Sequence, residues 1–153
     1  MIFTSQLAVP GKGAVRSTVK GVALCRLPHF RDARGLLSVA ESGDHIPFEV
    51  RRVFVVTGVT GPAIRGDHAH LTLRQMLLCV HGGCEVTVDD GENRQSFVLD
   101  DPTLAILIPP MVWSLQHSFT PDAVLLVLAS EKYDPVEYIR DYDEFLARVK
   151  APH

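Results

Sequence analysis

The chain has 153 residues and a formal net charge of -3 at pH 7, a length typical of a single domain. Hydrophobic residues make up 46% and charged residues 22% of the chain, which excludes a mainly disordered protein. Fifteen basic residues against 18 acidic ones argue against a nucleic-acid-binding protein. No apolar run approaches the roughly 20 residues of a membrane-spanning helix. Three cysteines without CxxC spacing predict a reduced, cytoplasmic protein.

The first twenty residues are rich in Gly, Ser, Thr and Lys. We expect residues 1–20 to be an N-terminal extension or an exchanged arm, and residues 21–150 to be one domain. From Val22 onward, short β-like runs recur about every 8–12 residues with turn signals between them, which predicts an all-β sandwich or small barrel. The runs are Val22–Leu27, Leu36–Glu41, Val50–Val59, Leu73–Val80, Cys84–Val88, Arg94–Leu99, Leu104–Ile108, Val112–Phe119 and Val124–Ala129.

One helix is predicted at the C-terminal end of the chain. Asp134 provides an N-cap, Pro135 stands at the first helical position, and Glu137 completes a capping box. Apolar residues from Tyr138 to Val149 then recur at helical spacing and form one apolar face. We expect this helix to pack on the outside of the sheet.

Two histidines stand apart from the other five, which we expect to be surface or structural residues. His68 and His70 lie two residues apart in Arg65–His70. Residues i and i+2 of a strand point to the same face, so both imidazoles enter the same space, the lumen or mouth of a barrel. Such a pair serves metal ligation or acid–base catalysis, or is a structural hydrogen-bonded pair.

The surrounding spacing resembles the first motif of the cupin barrels. The matching residues are Gly61, His68, His70, Gln75 and Gly82. Gln75 occupies the position of the acidic ligand, and an amide is a poorer metal ligand than a carboxylate. Trp113 stands where the second cupin motif supplies a histidine. Because two of four ligands are replaced, we expect a cupin or jelly-roll barrel without a metal, whose histidines are free to move protons.

More of the chain resembles the sugar 3,4-ketoisomerases, the dTDP-4-keto-6-deoxyglucose isomerases of the WxcM-like cupin group. The resemblance extends from about Phe30 to Phe145, and the joint occurrence of its motifs is specific. These motifs are Arg51–Phe54, Arg65–His70, Gln75 with Cys79, Val88–Gly91, Pro109–Trp113, Val127–Ser130 with Tyr133 and Asp134, and Tyr138–Tyr142.

The resemblance implies an isomerase that moves the ketone of a dTDP-linked 4-keto-6-deoxyhexose from C4 to C3. A base removes the C3 proton to give an enediol, and reprotonation at C4 completes the reaction without a metal or other cofactor. The product would be a precursor of 3-amino-3,6-dideoxy sugars. His68 is assigned as the base and His70 as its shuttle or partner, although the sequence does not order the two.

The resemblance also suggests which residues bind the substrate. Arg65 and Arg52 are the candidates for the diphosphate, because guanidinium groups bind phosphate through paired hydrogen bonds. Arg34, Gln75 and Trp113 are candidates for the sugar pocket. Ser114 and Phe54 occupy positions where the family usually has His or Arg and often Tyr, respectively, so they bear on the C4 configuration of the product.

The family's proteins are typically homodimers that exchange N-terminal strands, and the same arrangement is expected here. Three other functions are open to this sequence. They are a dTDP-sugar 3,5-epimerase, a non-catalytic cupin that binds sugar nucleotides, and, more distantly, a metal-dependent cupin oxygenase. The epimerase cupins do not share the motif around the two histidines.

Overall fold

The computed structural model describes residues 15–151, and most of this part of the chain forms antiparallel strands. Thirteen strands, one 3₁₀-helix (Pro135–Glu137) and one α-helix (α1, Tyr142–Lys150) occur within these residues. The strands are β1 (Val15–Arg16), β2 (Ala23–Arg26), β3 (His29–Asp32), β4 (Gly35–Ser38), β5 (Arg52–Thr57), β6 (Arg65–His70), β7 (Gln75–His81), β8 (Cys84–Asp89), β9 (Arg94–Leu99), β10 (Leu104–Ile108), β11 (Trp113–His117), β12 (Val124–Ala129) and β13 (Tyr138–Ile139).

Two main sheets enclose the core. One has six strands in the order β1-β2-β10-β7-β12-β5, and the other has five in the order β13-β6-β11-β8-β9. Inward-facing side chains of both sheets meet in one apolar cluster, with Leu77 and Ile106 from the first sheet and Val86, Val88 and Leu99 from the second. The predicted all-β, cupin-type jelly-roll barrel with a short C-terminal helix is therefore confirmed.

Each sheet also buries part of its outer face. Ile46 and Phe48, from the segment between β4 and β5, pack over Met76 and Leu107 of the six-stranded sheet. On the other sheet, Phe145 of α1 is fully buried in a cluster that includes Trp113, Ala69 and Ile139. The helix thus packs on the outside of the barrel, as its apolar periodicity predicts.

The C-terminal helix starts later than the sequence predicts. Asp134 does accept a hydrogen bond from Val136 N, but it caps only the 3₁₀-turn. The α-helix begins at Tyr142, with the Asp141 side chain accepting from Glu144 N at 2.8 Å. Glu137 does not close a capping box; its carboxylate instead accepts from Thr72 N at 2.7 Å. Between the two helices the chain forms β13, because pairing with β6 satisfies its backbone.

The N-terminal part of the described structure contains two strands that are not among the predicted runs. His29–Asp32 forms β3 and pairs with β4 in a hairpin, which is a separate two-stranded sheet. Within the predicted arm of residues 1–20, β1 pairs with β2 at the edge of the six-stranded sheet, and residues 1–14 lie outside the described part.

The cysteines at 25, 79 and 84 are buried and free. Neither helix described between residues 15 and 151 is long and apolar enough to span a membrane.

Candidate active site

A cavity of about 180 Å³ lies between the two sheets. Five residues singled out from the sequence line it: Phe54, Arg65, His68, Gln75 and Ser114. Two further polar residues, Gln116 and Tyr138, also line it. Because β5 and β7 belong to one sheet and β6, β11 and β13 to the other, the site is assembled from both halves of the barrel.

The two histidines form a close pair at this cavity. Nε2 of His68 lies 3.1 Å from Nε2 of His70, and the two rings are nearly perpendicular, with centroids 4.7 Å apart. The side-chain amide nitrogen of Gln75 lies 3.2 Å from the same nitrogen of His70. Since an amide nitrogen only donates, Nε2 of His70 is an acceptor, and the hydrogen bond between the imidazoles is donated by His68.

Burial keeps both imidazoles neutral. Removal from water lowers the pKa of His70 to about 3, and the nearby His68, Arg52 and Arg140 groups act in the same direction. Burial is also the main cause that lowers the pKa of His68, because desolvation disfavours the charged form of an imidazole. A neutral imidazole has a free lone pair, so the pair can accept a proton at neutral pH.

Tyr138 lies against both histidines, although the sequence placed it on a helix face. Its ring centroid is 4.8 Å from that of His68 and 4.5 Å from that of His70. The guanidinium of Arg140 lies 4.4 Å from the centroid of the Tyr138 ring, and Arg52 Nη2 donates to the Tyr138 hydroxyl at 3.3 Å. Tyr138 thus connects the imidazole pair to two cationic groups. The Tyr138–Tyr142 motif includes this residue. Because the sequence analysis assigned Tyr138 to a helix, it did not predict that the Tyr138 side chain faces the histidines.

Gln116 is the second site residue that the sequence reasoning missed. It lies two residues after Ser114 on β11, so strand periodicity places both side chains on one face. Its amide packs against Gly66, where an added Cβ would lie 2.7 Å from Gln116 Oε1. Period-two alternation from Ser114 would have identified it.

The remaining predicted residues occupy three different environments. His70 is 6% exposed and lies behind His68, in contact with it. Arg52 adjoins the cavity through its contact with Tyr138 and through Phe54, whose ring centroid is 5.2 Å from the Arg52 guanidinium carbon. Arg34 does not line the cavity; it is exposed at the β3–β4 turn and forms an ion pair with Asp32.

Trp113 does not line the cavity either. It alternates with Ser114 along β11, so when Ser114 faces inward, Trp113 faces the outer side of the sheet. There it is 4% exposed and packs edge-to-face on Tyr142, with ring centroids 5.2 Å apart. Its indole N–H donates to Asp67 Oδ1 at 3.1 Å.

Unpaired polar atoms are concentrated at this site. Among the side chains of the described residues, three buried nitrogens have no hydrogen-bond partner: Arg52 Nε, His68 Nδ1 and His70 Nδ1. Buried polar groups are normally paired, and all three belong to the imidazole pair or the guanidinium beside it. These atoms therefore mark the part of the barrel interior where a polar ligand would be bound.

The donor set around the histidines is poor for a metal. Across residues 15–151, no group of three or more His, Cys, Asp or Glu side chains is arranged to hold an ion. The amide of Gln75 lies 3.2 Å from His70, and the hydroxyl of Ser114 belongs to the cavity lining. Neither supplies the carboxylate or additional imidazole that divalent ions prefer.

Two antiparallel sheets around a cavity with a close imidazole pair define a cupin-type barrel. Residues 20–150 match the family described as WxcM-like, C-terminal. A TDP-4-oxo-6-deoxy-alpha-D-glucose-3,4-oxoisomerase of Aneurinibacillus thermoaerophilus is 43% identical over 114 residues, which are 74% of this chain and 82% of that protein.

Two solved structures agree with this match. A histidine-to-asparagine mutant of the 3,4-ketoisomerase QdtA of Thermoanaerobacterium thermosaccharolyticum, in complex with TDP-4-keto-6-deoxyglucose, has a TM-score of 0.85 at 35% identity; the match covers 87% of this chain and 96% of that one. The TDP-fucose-3,4-ketoisomerase WlaRA of Campylobacter jejuni has a TM-score of 0.81 at 31% identity and covers 85% and 96%. The chain belongs to the WxcM-like family of sugar 3,4-ketoisomerases and is an isomerase.

Proposed function

We propose that this protein moves the ketone of a dTDP-linked 4-keto-6-deoxyhexose from C4 to C3, by histidine-mediated proton transfer and without a metal. The reaction would supply the 3-keto sugar that an aminotransferase converts into a deoxyamino sugar. The observation that carries the proposal is the pair of neutral imidazoles, His68 and His70, joined at 3.1 Å beside a cavity. The substrate class comes from the relatives, which act on TDP-linked sugars.

The chemistry needs only proton transfers. The C4 ketone acidifies the hydrogen on C3, and one imidazole removes it as a proton, leaving an enediolate over C3 and C4. The proton returns to carbon at C4, and the hydroxyl proton on O3 is lost while O4 gains one. The ketone then stands at C3, and no net oxidation occurs. The 3.1 Å contact lets one imidazole stabilise or relay the proton that the other holds.

Charged and polar side chains around the pair suit an anionic sugar nucleotide. We assign Arg65 and Arg52 to the diphosphate, because guanidinium–phosphate pairs form strong bidentate hydrogen bonds. Phe54, Gln75 and Ser114 face the cavity and would contact the hexose. Arg34 and Trp113 do not line this cavity. We therefore do not assign them to the hexose site, although the family pattern suggested both as sugar-pocket residues.

Hydrogen exchange at the sugar tests the proposal directly. Incubated with dTDP-4-keto-6-deoxyglucose in deuterated water, the enzyme should introduce deuterium and yield the 3-keto product, read by NMR. His68→Asn and His70→Asn should each abolish product formation, and the variant that also loses C3 exchange identifies the base. His29→Asn, which alters an exposed histidine on β3, is the matched control. Full exchange in both site variants would refute the histidine mechanism.

The same experiment separates the other functions. Deuterium at C5 as well as C3, with the ketone remaining at C4, would indicate a 3,5-epimerase. Binding of dTDP-sugar without any exchange would indicate a non-catalytic protein. Stoichiometric iron, manganese or zinc in the purified, active protein would contradict metal independence. The relatives favour the ketoisomerase over each of these.

We further propose that the protein is a cytoplasmic homodimer with exchanged N-terminal strands. The buried free cysteines suit a reducing compartment. Val53 and Val55 of β5, 56% and 54% exposed, leave apolar surface at the edge of the six-stranded sheet that a second copy could cover. Light scattering on a sizing column should give about twice the chain mass, and deleting residues 1–14 should reduce it. A monomeric full-length chain would refute this assembly.

A further inference from the structure

One extra residue interrupts the pairing of β6 with β11. Ser114 pairs with His68, but the next residue on β11, Leu115, pairs with Gly66. Asp67 therefore has no partner of its own and forms a β-bulge. Gly66 and Asp67 both have positive φ, at 74° and 63°. Positive φ is unrestricted for glycine and less costly for Asp or Asn than for other side chains.

The bulge decides which residues share the cavity. In a regular strand, residues three apart point to opposite faces, so Arg65 would face away from His68. With one residue inserted between them, Arg65 pairs with Gln116 as His68 pairs with Ser114, and all four side chains line the cavity. The cationic group and the imidazole pair therefore meet in one cavity because of the bulge.

The inserted residue is tied to the outer face of the barrel. Asp67 Oδ1 accepts the indole N–H of Trp113 at 3.1 Å. Trp113 is itself fixed, because it is 4% exposed and packs against Ala69, Ile139 and Phe145. The exposed bulge residue of β6 is thus anchored to a rigid buried ring, and Asp67 accepts the only hydrogen bond that the indole nitrogen makes to the described residues.

We propose that Asp67 and Trp113 are positioning residues for the isomerase site. Their hydrogen bond holds the bulge, and the bulge keeps Arg65 in the same cavity as the histidine pair. This inference rests on the proposed function for the role of Arg65 in binding the diphosphate. Trp113 thereby influences substrate binding through the backbone of β6, without contact with the sugar.

A series of substitutions at Asp67 separates the two features that the side chain contributes. Asp67→Asn keeps both the acceptor and the tolerance of positive φ, Asp67→Gly keeps only the backbone freedom, and Asp67→Ala keeps neither. Trp113→Phe removes the donor while retaining an aromatic ring. Arg65→Ala serves as the reference for loss of the cationic group from the cavity.

Each variant is examined by calorimetric binding of dTDP-glucose, by melting temperature, and by ¹⁵N NMR of the His68 imidazole. Asp67→Ala should weaken binding about tenfold, the factor that corresponds to the left-handed penalty of an ordinary residue. Asp67→Asn should stay within about threefold of wild type, with Asp67→Gly and Trp113→Phe between them. Combined with Arg65→Ala, Asp67→Ala should add no further loss, because both remove the same interaction.

A merely structural role would change the melting temperature alone. If Asp67→Ala melts earlier but binds dTDP-glucose as wild type does, with unchanged His68 resonances, the positioning role is wrong. If Arg65→Ala itself binds normally, the diphosphate assignment fails, and the NMR decides the positioning role. The His68 resonances must then move in Asp67→Ala and Trp113→Phe but not in Asp67→Asn; any other pattern overturns it.

Discussion

Mild acid should destabilise the folded protein through His70. Burial lowers the pKa of this imidazole from 6.5 to about 3, so the unfolded chain binds the proton at a higher pH than the folded chain. The contribution of neutral His70 to the unfolding free energy is therefore fully present above pH 6.5, and it is lost progressively as the pH falls toward 3. At pH 5 the unfolded histidine is almost fully protonated and the folded one almost neutral, which costs about 2 kcal/mol of unfolding free energy relative to pH 8. His68, whose pKa is also lowered, changes stability in the same direction.

The choice of pH 5 isolates the imidazoles. Asp90 and Asp101 have lowered pKa values, so their contribution is lost only as the pH approaches 3.8 and below. Urea unfolding at pH 8 and pH 5 should show a smaller loss for His70→Asn than for wild type, by about 2 kcal/mol. His29→Asn, at an exposed position, should lose as much as wild type. An equal loss in His70→Asn and wild type would refute the assignment of the acid sensitivity to this buried group.

Three further predictions concern the barrel and its helix. Gly66→Ala should lower the unfolding free energy by about 1–2 kcal/mol, measured in urea, because φ is 74° there and the new Cβ would contact Gln116; unchanged stability would contradict this. Asp89→Ala should cost about 1–3 kcal/mol and speed hydrogen exchange in α1, since the Asp89 carboxylate accepts from Tyr142 Oη at 2.7 Å and Arg94 Nη1 at 3.0 Å; unaltered exchange would show that the helix is held otherwise. The three buried thiols should resist a thiol reagent in native buffer and react in urea, and rapid native labelling would contradict their burial.

Strand periodicity predicted the histidine pair but not its cationic neighbour. His68 and His70 are two residues apart, so alternation alone places them on one face, and the structure brings their nitrogens to 3.1 Å. Arg65 is three residues from His68, so the same rule places it on the opposite face. Only the bulge at Asp67 brings it inside, and a bulge depends on pairing with β11, which is distant in sequence. Motif resemblance pointed to Arg65 without giving this reason.

Local capping signals explain the error in the helix boundary. Asp134 with Pro135 is a genuine helix-start signal, and it does start a 3₁₀-turn. What ends that turn is a long-range contact, the pairing of Tyr138 with His70 on β6. This pairing directs the Tyr138 ring onto the histidines. A sequence window that contains only the capping residues cannot weigh a competing strand pairing some seventy residues away in sequence, so tertiary pairing overrode the local preference.

One substitution should link acid stability to catalysis. In kcat/KM, the acid limb reports the free enzyme's essential base, so with the pKa of both imidazoles lowered we expect that limb below pH 6.5. Gln75→Glu would place a carboxylate where the amide now lies 3.2 Å from His70, and a nearby negative charge favours the protonated imidazole. The acid limb should then move to higher pH, and the loss of stability between pH 8 and pH 5 should shrink, in assays containing a chelator. Because both changes follow from a raised pKa in the same hydrogen-bonded imidazole pair, a variant that moves one without the other would refute the shared cause.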